Sequence, residues 1–159
     1  MQLTGRQIVE EGIITNYVAE AVQQQGIDIR LATVDKLGGA GTIPKLGKTK
    51  LPIYTRIEPQ GDCWMLQPGY YQVTFFEGCR MPKNRVMVFI SRSSLVRCGA
   101  QIVNGQFDAG FETDSMGCFL QVLNPICIEV GARIAQTRIL ETEDVENLYN
   151  GQYQHDKQR

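Results

Sequence analysis

Short apolar or alternating runs, separated by turn-forming residues, fill most of this chain after residue 25. Such runs of four to eight residues are typical of β-strands. The pattern predicts strands at residues 26–31, 51–57, 63–66, 70–76, 85–90, 116–123, 126–130 and 133–140, with shorter extended pieces at 100–103 and 106–107. Many short strands with regular turn signals are typical of an all-β sandwich or barrel.

One helix is predicted before these strands. Thr4 and Gln7 have the spacing of a capping box, and apolar residues follow at roughly helical intervals, which predicts a helix over residues 4–11. Glycines and lysines in residues 35–50 predict a solvated surface loop. No repeat or linker interrupts the chain, so we expect one domain over residues 1–159, with a mobile polar tail from about residue 141.

The composition excludes some classes of partner. The chain is 43% hydrophobic and 21% charged, as in ordinary globular proteins. Its formal net charge is −1, so no overall positive field attracts nucleic acid, and we expect no nucleic-acid partner. No apolar run is long enough to span a bilayer, and the N-terminus lacks the apolar core of a signal peptide. We therefore expect no membrane contact and a cytoplasmic location.

Cysteine and histidine usage limits the chemistry. The five cysteines include no Cys-x-x-Cys pair, and most stand in apolar company, as Cys118 and Cys127 do. We expect them to be reduced, buried thiols. The only histidine, His155, lies in the polar tail. A zinc site of the His/Cys kind is therefore unsupported, as is a Cys–His or Ser–His nucleophile pair.

The most informative stretch joins an apolar run to hydroxyl and guanidinium side chains. Residues 86–90 are all apolar and predict a strand buried on both faces, and Arg92, Ser93 and Ser94 follow shortly. If a helix begins at Ser93, Ser94 and Arg97 share one face. The first backbone N–H groups of such a helix, with these side chains, can bind phosphate oxygens. A capped surface helix with a solvated arginine face explains the pattern equally well.

A second stretch places an aspartate between aromatic rings. Asp108 lies between Phe107 and Phe111, with Gly105 and Gly110 nearby. Glycines allow backbone to approach a ligand closely, and a carboxylate beside a phosphate site can act as a general base toward water. The alternative is a turn aspartate, since Asp-Ala-Gly is common turn chemistry.

A third stretch, residues 131–136, reads Gly-Ala-Arg-Ile-Ala-Gln. Its last residue, Gln136, offers an amide that can bind a phosphate oxygen. The alternative is a glutamine that satisfies the edge of a sheet.

Taken in chain order, these stretches resemble the motifs of the superfamily of trimeric dUTP pyrophosphatases and dCTP deaminases, almost from end to end. The N-terminal helix resembles that of the deaminase-like branch. The motifs match, in order, at residues 26–31, 92–97, 105–108, 131–136 and 149–154. The last of these segments resembles the family's tail that closes over bound nucleotide. The resemblance implies a distorted, jelly-roll-like β-barrel of the dUTPase β-clip type and a homotrimer with sites between subunits.

The resemblance also implies roles for individual residues. Asp28 would help to hold Mg²⁺ through water, and Asp108 would orient and activate the attacking water. Phosphate oxygens would be bound by Arg92, Ser93, Ser94, Arg97 and Gln136. The base and sugar would be bound by Asn104, Gly105, Phe111 and Tyr153.

The choice of activity depends on Gln121. The deaminases of the superfamily resemble one another in a Leu-Glu-aromatic strand whose glutamate moves the proton, and this chain has Leu120-Gln121-Val122 there. A glutamine cannot act as a general acid or base in water. Residues 133–136 also resemble the pyrophosphatases rather than the deaminases. The spacing over residues 111–125 resembles that of the archaeal pyrophosphatases. We therefore expect hydrolysis of dUTP to dUMP and pyrophosphate, with dCTP deamination or a catalytically weak nucleotide-binding regulator as alternatives.

Two features depart from the family pattern. Phe111 stands where the family often has Tyr, so the stack on the sugar is kept and a hydroxyl is lost. Gln152 and Asp156 stand in a tail where related sequences often place a basic residue. These departures leave open whether the tail closes the site and whether the substrate carries a modified pyrimidine.

Overall fold

The N-terminal helix is held by the predicted capping box. A computed structural model describes residues 1–155 and places helix α1 at Gly5–Glu10. The Thr4 hydroxyl accepts from the backbone N–H of Gln7, and the Gln7 side chain accepts in return from the backbone N–H of Thr4. Ile8 is fully buried. The helix therefore forms where local hydrogen bonds and the burial of one apolar side chain agree.

Short antiparallel strands make up most of the described chain. They are β1 (Ile14–Thr15), β2 (Val22–Gln23), β3 (Gly26–Gly38), β4 (Ile53–Ile57), β5 (Cys63–Leu66), β6 (Gly69–Phe75), β7 (Gly78–Arg80), β8 (Arg85–Ser91), β9 (Ala100–Val103), β10 (Glu112–Thr113), β11 (Gly117–Val122), β12 (Ile126–Glu129) and β13 (Arg133–Glu141). A short 3-10 helix spans Ala19–Ala21, and helix α2 spans Ser93–Arg97 between β8 and β9. Within residues 1–155, β12 pairs only with β5, in a separate two-stranded sheet, and β1, β7 and β10 form a third sheet.

The main sheet curves into a nearly closed barrel. Its strand order is β8-β13-β3-β6-β11-β9, with β2 and β4 paired to β3. The two end strands are tied together, because the backbone N–H of Ile102 donates to the Ser91 hydroxyl and Phe107 forms a bridge with Met87. The predicted all-β, barrel-like fold with an N-terminal helix is confirmed.

Two predictions about individual strands are wrong. β3 continues through Gly38, where a loop was expected from residue 35, because its second half pairs with both β4 and β6. The apolar run 86–90 is buried on one face only, and the Ile90 side chain is 39% exposed. The barrel covers the inner face of β8, whereas its outer face meets solvent.

The cysteines do not all behave as expected. Cys63 and Cys127 form a disulfide between β5 and β12, so the prediction of reduced thiols is wrong for this pair. Cys79 and Cys118 are buried thiols as predicted, whereas Cys98 is exposed. Burial raises the pKa of the Cys79 thiol to about 12 and raises the pKa of the Cys118 thiol as well. The two cysteines are 64 residues apart in the chain, so the local sequence around each does not indicate that they pair.

The segment after β13 runs back over the barrel. The backbone N–H groups of Thr142 and Val145 donate to the carbonyls of Asn84 and Lys83, and Lys83 forms an ion pair with Asp144. The mobility expected for this tail stays a prediction. Within residues 1–155, no helix combines the length and apolar character needed to cross a membrane.

Candidate functional site

A cavity of about 360 Å³ opens where the loop after β9 meets the barrel. Its lining comes from β4, β6, β10, β11, residues 104–111 and the C-terminal segment. The lining includes the predicted base, sugar and catalytic residues Asn104, Gly105, Asp108, Phe111 and Tyr153. The structure therefore brings together five residues that the sequence singled out in two distant stretches.

Aromatic rings give this cavity its shape. The buried Phe107 ring lies 4.8 Å from the Phe89 ring and 5.5 Å from the Phe111 ring, centroid to centroid. The Phe111 ring meets the Tyr149 ring edge-on at 5.4 Å. This run of rings links the barrel core to the tail. A flat apolar group, such as a sugar face or a base, can pack on this preformed surface.

Asp108 is an exposed residue of the cavity lining. Its side chain is exposed, and Oδ1 accepts a hydrogen bond of 2.8 Å from Nε2 of Gln106. The backbone carbonyl of Asp108 accepts from the N–H of Phe111, so the residue also forms the predicted turn. The turn and the carboxylate role are compatible, because the turn uses the backbone of Asp108 and its exposed side chain lines the cavity.

The Asn104 side chain serves the fold. Its Oδ1 accepts from the backbone N–H of Phe89 at 3.0 Å, and its Nδ2 donates to the Phe89 carbonyl at 3.1 Å. The amide thereby bonds the start of the loop to β8. Both ends of this amide therefore have partners within the protein.

The tail lies across the cavity mouth. The backbone N–H of Tyr149 donates to the Ala109 carbonyl at 2.8 Å, and Gln154 bonds to the backbone of both Gly110 and Glu112. Gly110 has a φ of +86°, and a Cβ added there would lie 2.6 Å from the Leu148 Cβ. A residue without a side chain is therefore needed for the tail to approach this closely.

A second group, the arginine cluster, surrounds Asp28 and consists of Asp28, Arg92, Arg133 and Gln136. Asp28 is 1% exposed. Its Oδ1 accepts from Nε2 of Gln136 at 3.0 Å, and its Oδ2 lies 3.2 Å from Nε of Arg92 and 3.6 Å from Nη1 of Arg133. Two partly exposed guanidinium groups thus offset one buried carboxylate, which keeps both cations in place.

Strand pairing builds this cluster. Gln136 of β13 lies opposite Asp28 of β3, and a register shift between Arg133 and Ala135 alters the order in which side chains face β3. Arg92 follows β8 directly, and its Nη1 donates to the Arg133 carbonyl. The pairing of three strands decides the cluster, which explains why Arg133 received no site role from sequence.

Helix α2 begins at Ser93, the start that the phosphate-binding interpretation assumed. The side chains of Ser93, Ser94 and Arg97 are exposed. In the described part of the chain, none of the predicted phosphate-binding residues and no member of the arginine cluster lines the cavity. The two groups of predicted site residues are therefore separate regions of one subunit.

The predicted Mg²⁺ role of Asp28 can be compared with its surroundings. Oδ2 of Asp28 is buried and accepts no hydrogen bond, so it has capacity to accept one from a metal-bound water. Residues 1–155 contain no group of three or more His, Cys, Asp or Glu side chains that could hold a metal ion, so the nucleotide phosphates and water would supply most ligands of a bound Mg²⁺. The Asp28 carboxylate fits the predicted contact through water to such an ion.

Gln121 lies on β11 outside the cavity lining. Its Oε1 accepts from Nε2 of Gln101 on the neighbouring strand β9 at 2.6 Å. The residue that the resemblance places at the deaminase glutamate is therefore bonded to another side-chain amide. Of the two tail residues that depart from the family pattern, Gln152 bonds to the backbone of Thr49, and Asp156 lies outside the described residues.

Several cavity residues carried no sequence signal of function. Tyr54, Gln72 and Phe119 come from three different strands and line the cavity because those strands pair with or cross one another. Nothing in the local sequence of β6 distinguishes Gln72 from an ordinary strand residue. Tyr149 had a usable signal, since an aromatic residue in a polar tail needs a partner surface.

Comparison with known proteins places the chain among nucleotide enzymes. The profile of the dCTP deaminase-like family matches residues 2–142. A probable deoxyuridine 5′-triphosphate nucleotidohydrolase of Aeropyrum pernix is 32% identical over 157 residues, which are 97% of this chain and 98% of the relative. The deoxyuridine 5′-triphosphate nucleotidohydrolase of Methanocaldococcus jannaschii is 36% identical over 141 residues, which are 87% of this chain and 90% of that protein.

One solved structure shares the fold. The 2′-deoxycytidine 5′-triphosphate deaminase from Agrobacterium tumefaciens superposes with a TM-score of 0.62 at 19% identity. The match covers 89% of this chain and 47% of that chain. At this identity the likeness supports the barrel and says nothing about the reaction.

Proposed function

Because this chain belongs to the dCTP deaminase-like family, we propose that it is the dUTP-hydrolysing kind of member, which converts dUTP to dUMP and pyrophosphate. Gln121 carries this proposal. An amide bonded to Gln101 stands where the deaminases have their glutamate, and an amide cannot move a proton. Asp108 remains at the cavity mouth as a carboxylate for phosphate chemistry. The names of the archaeal relatives support the same reaction.

The pyrimidine and deoxyribose occupy the aromatic cavity. Backbone groups of Asn104 and Gly105 contact the base, the Phe111 ring packs against the sugar, and Tyr153 covers the mouth. This placement is supported by the fact that all four residues line one cavity. It also brings the 5′ side of the sugar toward Asp108, the exposed carboxylate at the rim.

Asp108 positions one water molecule and takes its proton. The water oxygen forms a bond to the α-phosphorus, the bond from that phosphorus to the bridging oxygen breaks, and pyrophosphate leaves. Gln106, which donates to Oδ1 of Asp108, limits the orientations of the carboxylate. General base catalysis of this kind is typically worth about 10²- to 10⁴-fold in rate.

The phosphate chain is bound by cationic and hydroxyl groups. These are Arg92, Ser93, Ser94, Arg97 and Gln136. Asp28 holds Arg92 and Gln136 in place through the contacts described above. Mg²⁺, when bound with the nucleotide, offsets phosphate charge, and Asp28 would hold it through water.

A complete site requires more than one subunit. The phosphate-binding residues do not line the cavity of their own chain among the described residues, which supports a symmetric assembly, a homotrimer, that brings them to a neighbour's cavity. Light scattering on purified protein should give the mass of three chains. A monomeric mass at micromolar concentration contradicts this part of the proposal.

One assay separates the candidate functions. Purified protein with Mg²⁺ is given dUTP or dCTP, and pyrophosphate and ammonia are measured. Pyrophosphate from dUTP without ammonia from dCTP is the expected result. Ammonia from dCTP would assign the chain to the deaminases, and neither product would favour a nucleotide-binding regulator. A nucleotide substrate also suits the cytoplasmic location, which stays a prediction.

A further inference from the structure

A lysine-bearing loop, which we call the arm, lies beside the cavity. The arm consists of residues 39–50, between β3 and β4. Its base is closed by Thr42 and Lys50, whose backbone groups exchange hydrogen bonds of 2.8 and 3.0 Å. The residue after the arm, Leu51, lines the cavity. The C-terminal end of the arm is therefore fixed next to the cavity.

The tail holds the arm through one side-chain amide. Oε1 of Gln152 accepts from the backbone N–H of Thr49 at 3.1 Å, and Nε2 of Gln152 donates to the Thr49 carbonyl at 3.2 Å. Both ends of this amide are thus used on a single residue of the arm. Tyr153, the residue after Gln152, lines the cavity. The contact between the tail and the arm therefore lies within two residues of the cavity lining along both segments.

Two lysines flank this contact. Lys48 and Lys50 stand on either side of Thr49 in the chain, and both are exposed. Within residues 1–155, neither ammonium group forms an ion pair, whereas Lys83 is paired with Asp144. A lysine without a carboxylate partner can bind a phosphate as a point charge and gives up no internal contact to do so.

The cavity itself supplies no positive charge. Among residues 1–155, Asp108 is the only charged residue in its lining, and that side chain is exposed. In the proposed placement, the 5′ side of the sugar lies toward Asp108, so a carboxylate repels the phosphates where they leave the cavity. Cations next to the cavity offset this repulsion, and their effect is larger at low salt.

We propose that Lys48 and Lys50 bind the β- and γ-phosphates of a nucleotide held in the cavity of their own subunit, and that Gln152 positions them. This inference rests on the proposed function, since it takes the cavity as the base and sugar site. Asp108 and its water occupy the surroundings of the α-phosphorus, which leaves the outer phosphates to the lysines. The arginine cluster of a neighbouring subunit would bind the same phosphate chain from another side.

The first test removes both positive charges and keeps most of the side-chain length. The double variant Lys48→Met, Lys50→Met is compared with the parent by calorimetric titration with two ligands. One is dUMP, and the other is a dUTP analogue with nitrogen in place of the oxygen that bridges the α- and β-phosphates, which resists hydrolysis. Affinity for the analogue should fall by roughly tenfold, the worth of one or two charge-assisted hydrogen bonds, and affinity for dUMP should change little.

Matched variants separate phosphate binding from support of the arm. Lys36→Met is the control for loss of a charge, because Lys36 is exposed on β3 and does not line the cavity. The double variant Lys48→Arg, Lys50→Arg keeps both charges and should bind the analogue within about threefold of the parent. Equal weakening of dUMP and the analogue in the methionine variant would overturn the proposal, since it would give the lysines a role in the shape of the cavity.

The positioning role of Gln152 has a variant of its own. Gln152→Met keeps the side-chain length and removes both hydrogen bonds to Thr49. The lysines keep their charge and lose their fixed place, so affinity for the analogue alone should fall by roughly threefold. Added to the double methionine variant, Gln152→Met should weaken binding no further, because no charge is left to position. Parent-like affinity in Gln152→Met would overturn the positioning role.

The outcomes distinguish this inference from the proposed function. If the parent hydrolyses dUTP and the double methionine variant binds the analogue as the Lys36→Met control does, the inference is wrong and the function stands. If the parent hydrolyses nothing but the double methionine variant loses affinity for the analogue and not for dUMP, the function is wrong and the inference stands.

Discussion

The aromatic cavity and the arginine cluster are built in opposite ways. The cavity is an apolar shape, made by one loop, three barrel strands and the tail, and many of its polar side chains are bonded to nearby backbone. The arginine cluster is a charge arrangement, made by strands β3, β8 and β13 around one buried carboxylate. One region is suited to a base and sugar, and the other to phosphates.

In the proposed assembly, this difference gives a physical reason for the two regions of one site to come from different subunits. Shape complementarity to a base can be completed within a chain, because the tail covers its own cavity. Charge complementarity to a triphosphate needs exposed cations, and exposed cations cannot be packed inside the same cavity without a large desolvation cost. The variants described below each disrupt one of these two regions.

The largest expected effect is in the cavity region, at Asp108. Asp108→Asn keeps size and shape and removes the base, so kcat for dUTP should fall by roughly 10²- to 10⁴-fold while binding persists. Steady-state kinetics and dUMP titration measure the two quantities, and Asp62→Asn on the surface is the control. A loss confined to KM would give Asp108 a recognition role instead.

The next effect is in the arginine cluster, at Asp28. Asp28→Asn leaves Arg92 and Arg133 without the carboxylate that offsets them. The Mg²⁺ concentration for half-maximal rate should rise by roughly 10- to 100-fold, the typical cost of losing an outer-shell partner. Nucleotide binding without metal should change less. Equal Mg²⁺ dependence in variant and parent would rule out the metal role and leave Asp28 as a positioning residue for the arginines.

A smaller effect is expected from the tail. Removal of residues 149–159 takes away Tyr149 and the hydrogen bonds of Gln154. The barrel should keep its melting temperature, and kcat/KM for dUTP should fall by roughly tenfold, the worth of one or two hydrogen bonds. Gly110→Ala, which crowds Leu148, should reproduce part of that loss. Unchanged kinetics in both variants would show that the tail does not close the site.

The smallest effect tests how dry the cavity is. The thiolate is the reactive form of cysteine, and burial raises the pKa of the Cys118 thiol, so at pH 8 little thiolate exists there. Iodoacetamide at pH 8 should label the exposed Cys98 and leave Cys118 unlabelled, as mass spectrometry of peptides can show. Equal labelling of Cys98 and Cys118 would mean that water enters the cavity freely.

Features that depend on near neighbours were predictable from the sequence. The capping box of α1, the helix start considered at Ser93 and the strand predicted at residues 116–123 each rest on residues a few positions apart. The grouping of Asn104, Gly105, Asp108 and Phe111 is local in the same sense. Tyr153 joined them through the family resemblance, since nothing nearby in sequence marks its partner surface.

Features that depend on long-range pairing were not predictable from local sequence. Arg133 lies near Asp28 because a register shift in β13 alters which side chains face β3. Gln72 lines the cavity because β6 pairs with β11 and β3. The disulfide between Cys63 and Cys127 depends on the pairing of β5 with β12.

By itself, the sequence determined the all-β class, the presence of the N-terminal helix, the order of the motifs and the absence of a carboxylate at position 121, because each follows from residue type and short spacing. Only the tertiary structure decided that the predicted site residues fall into two separate regions and that Gln72 lines one of them. The physical reason is that strand register and barrel curvature set which distant side chains meet. Both arise from the packing of the whole sheet.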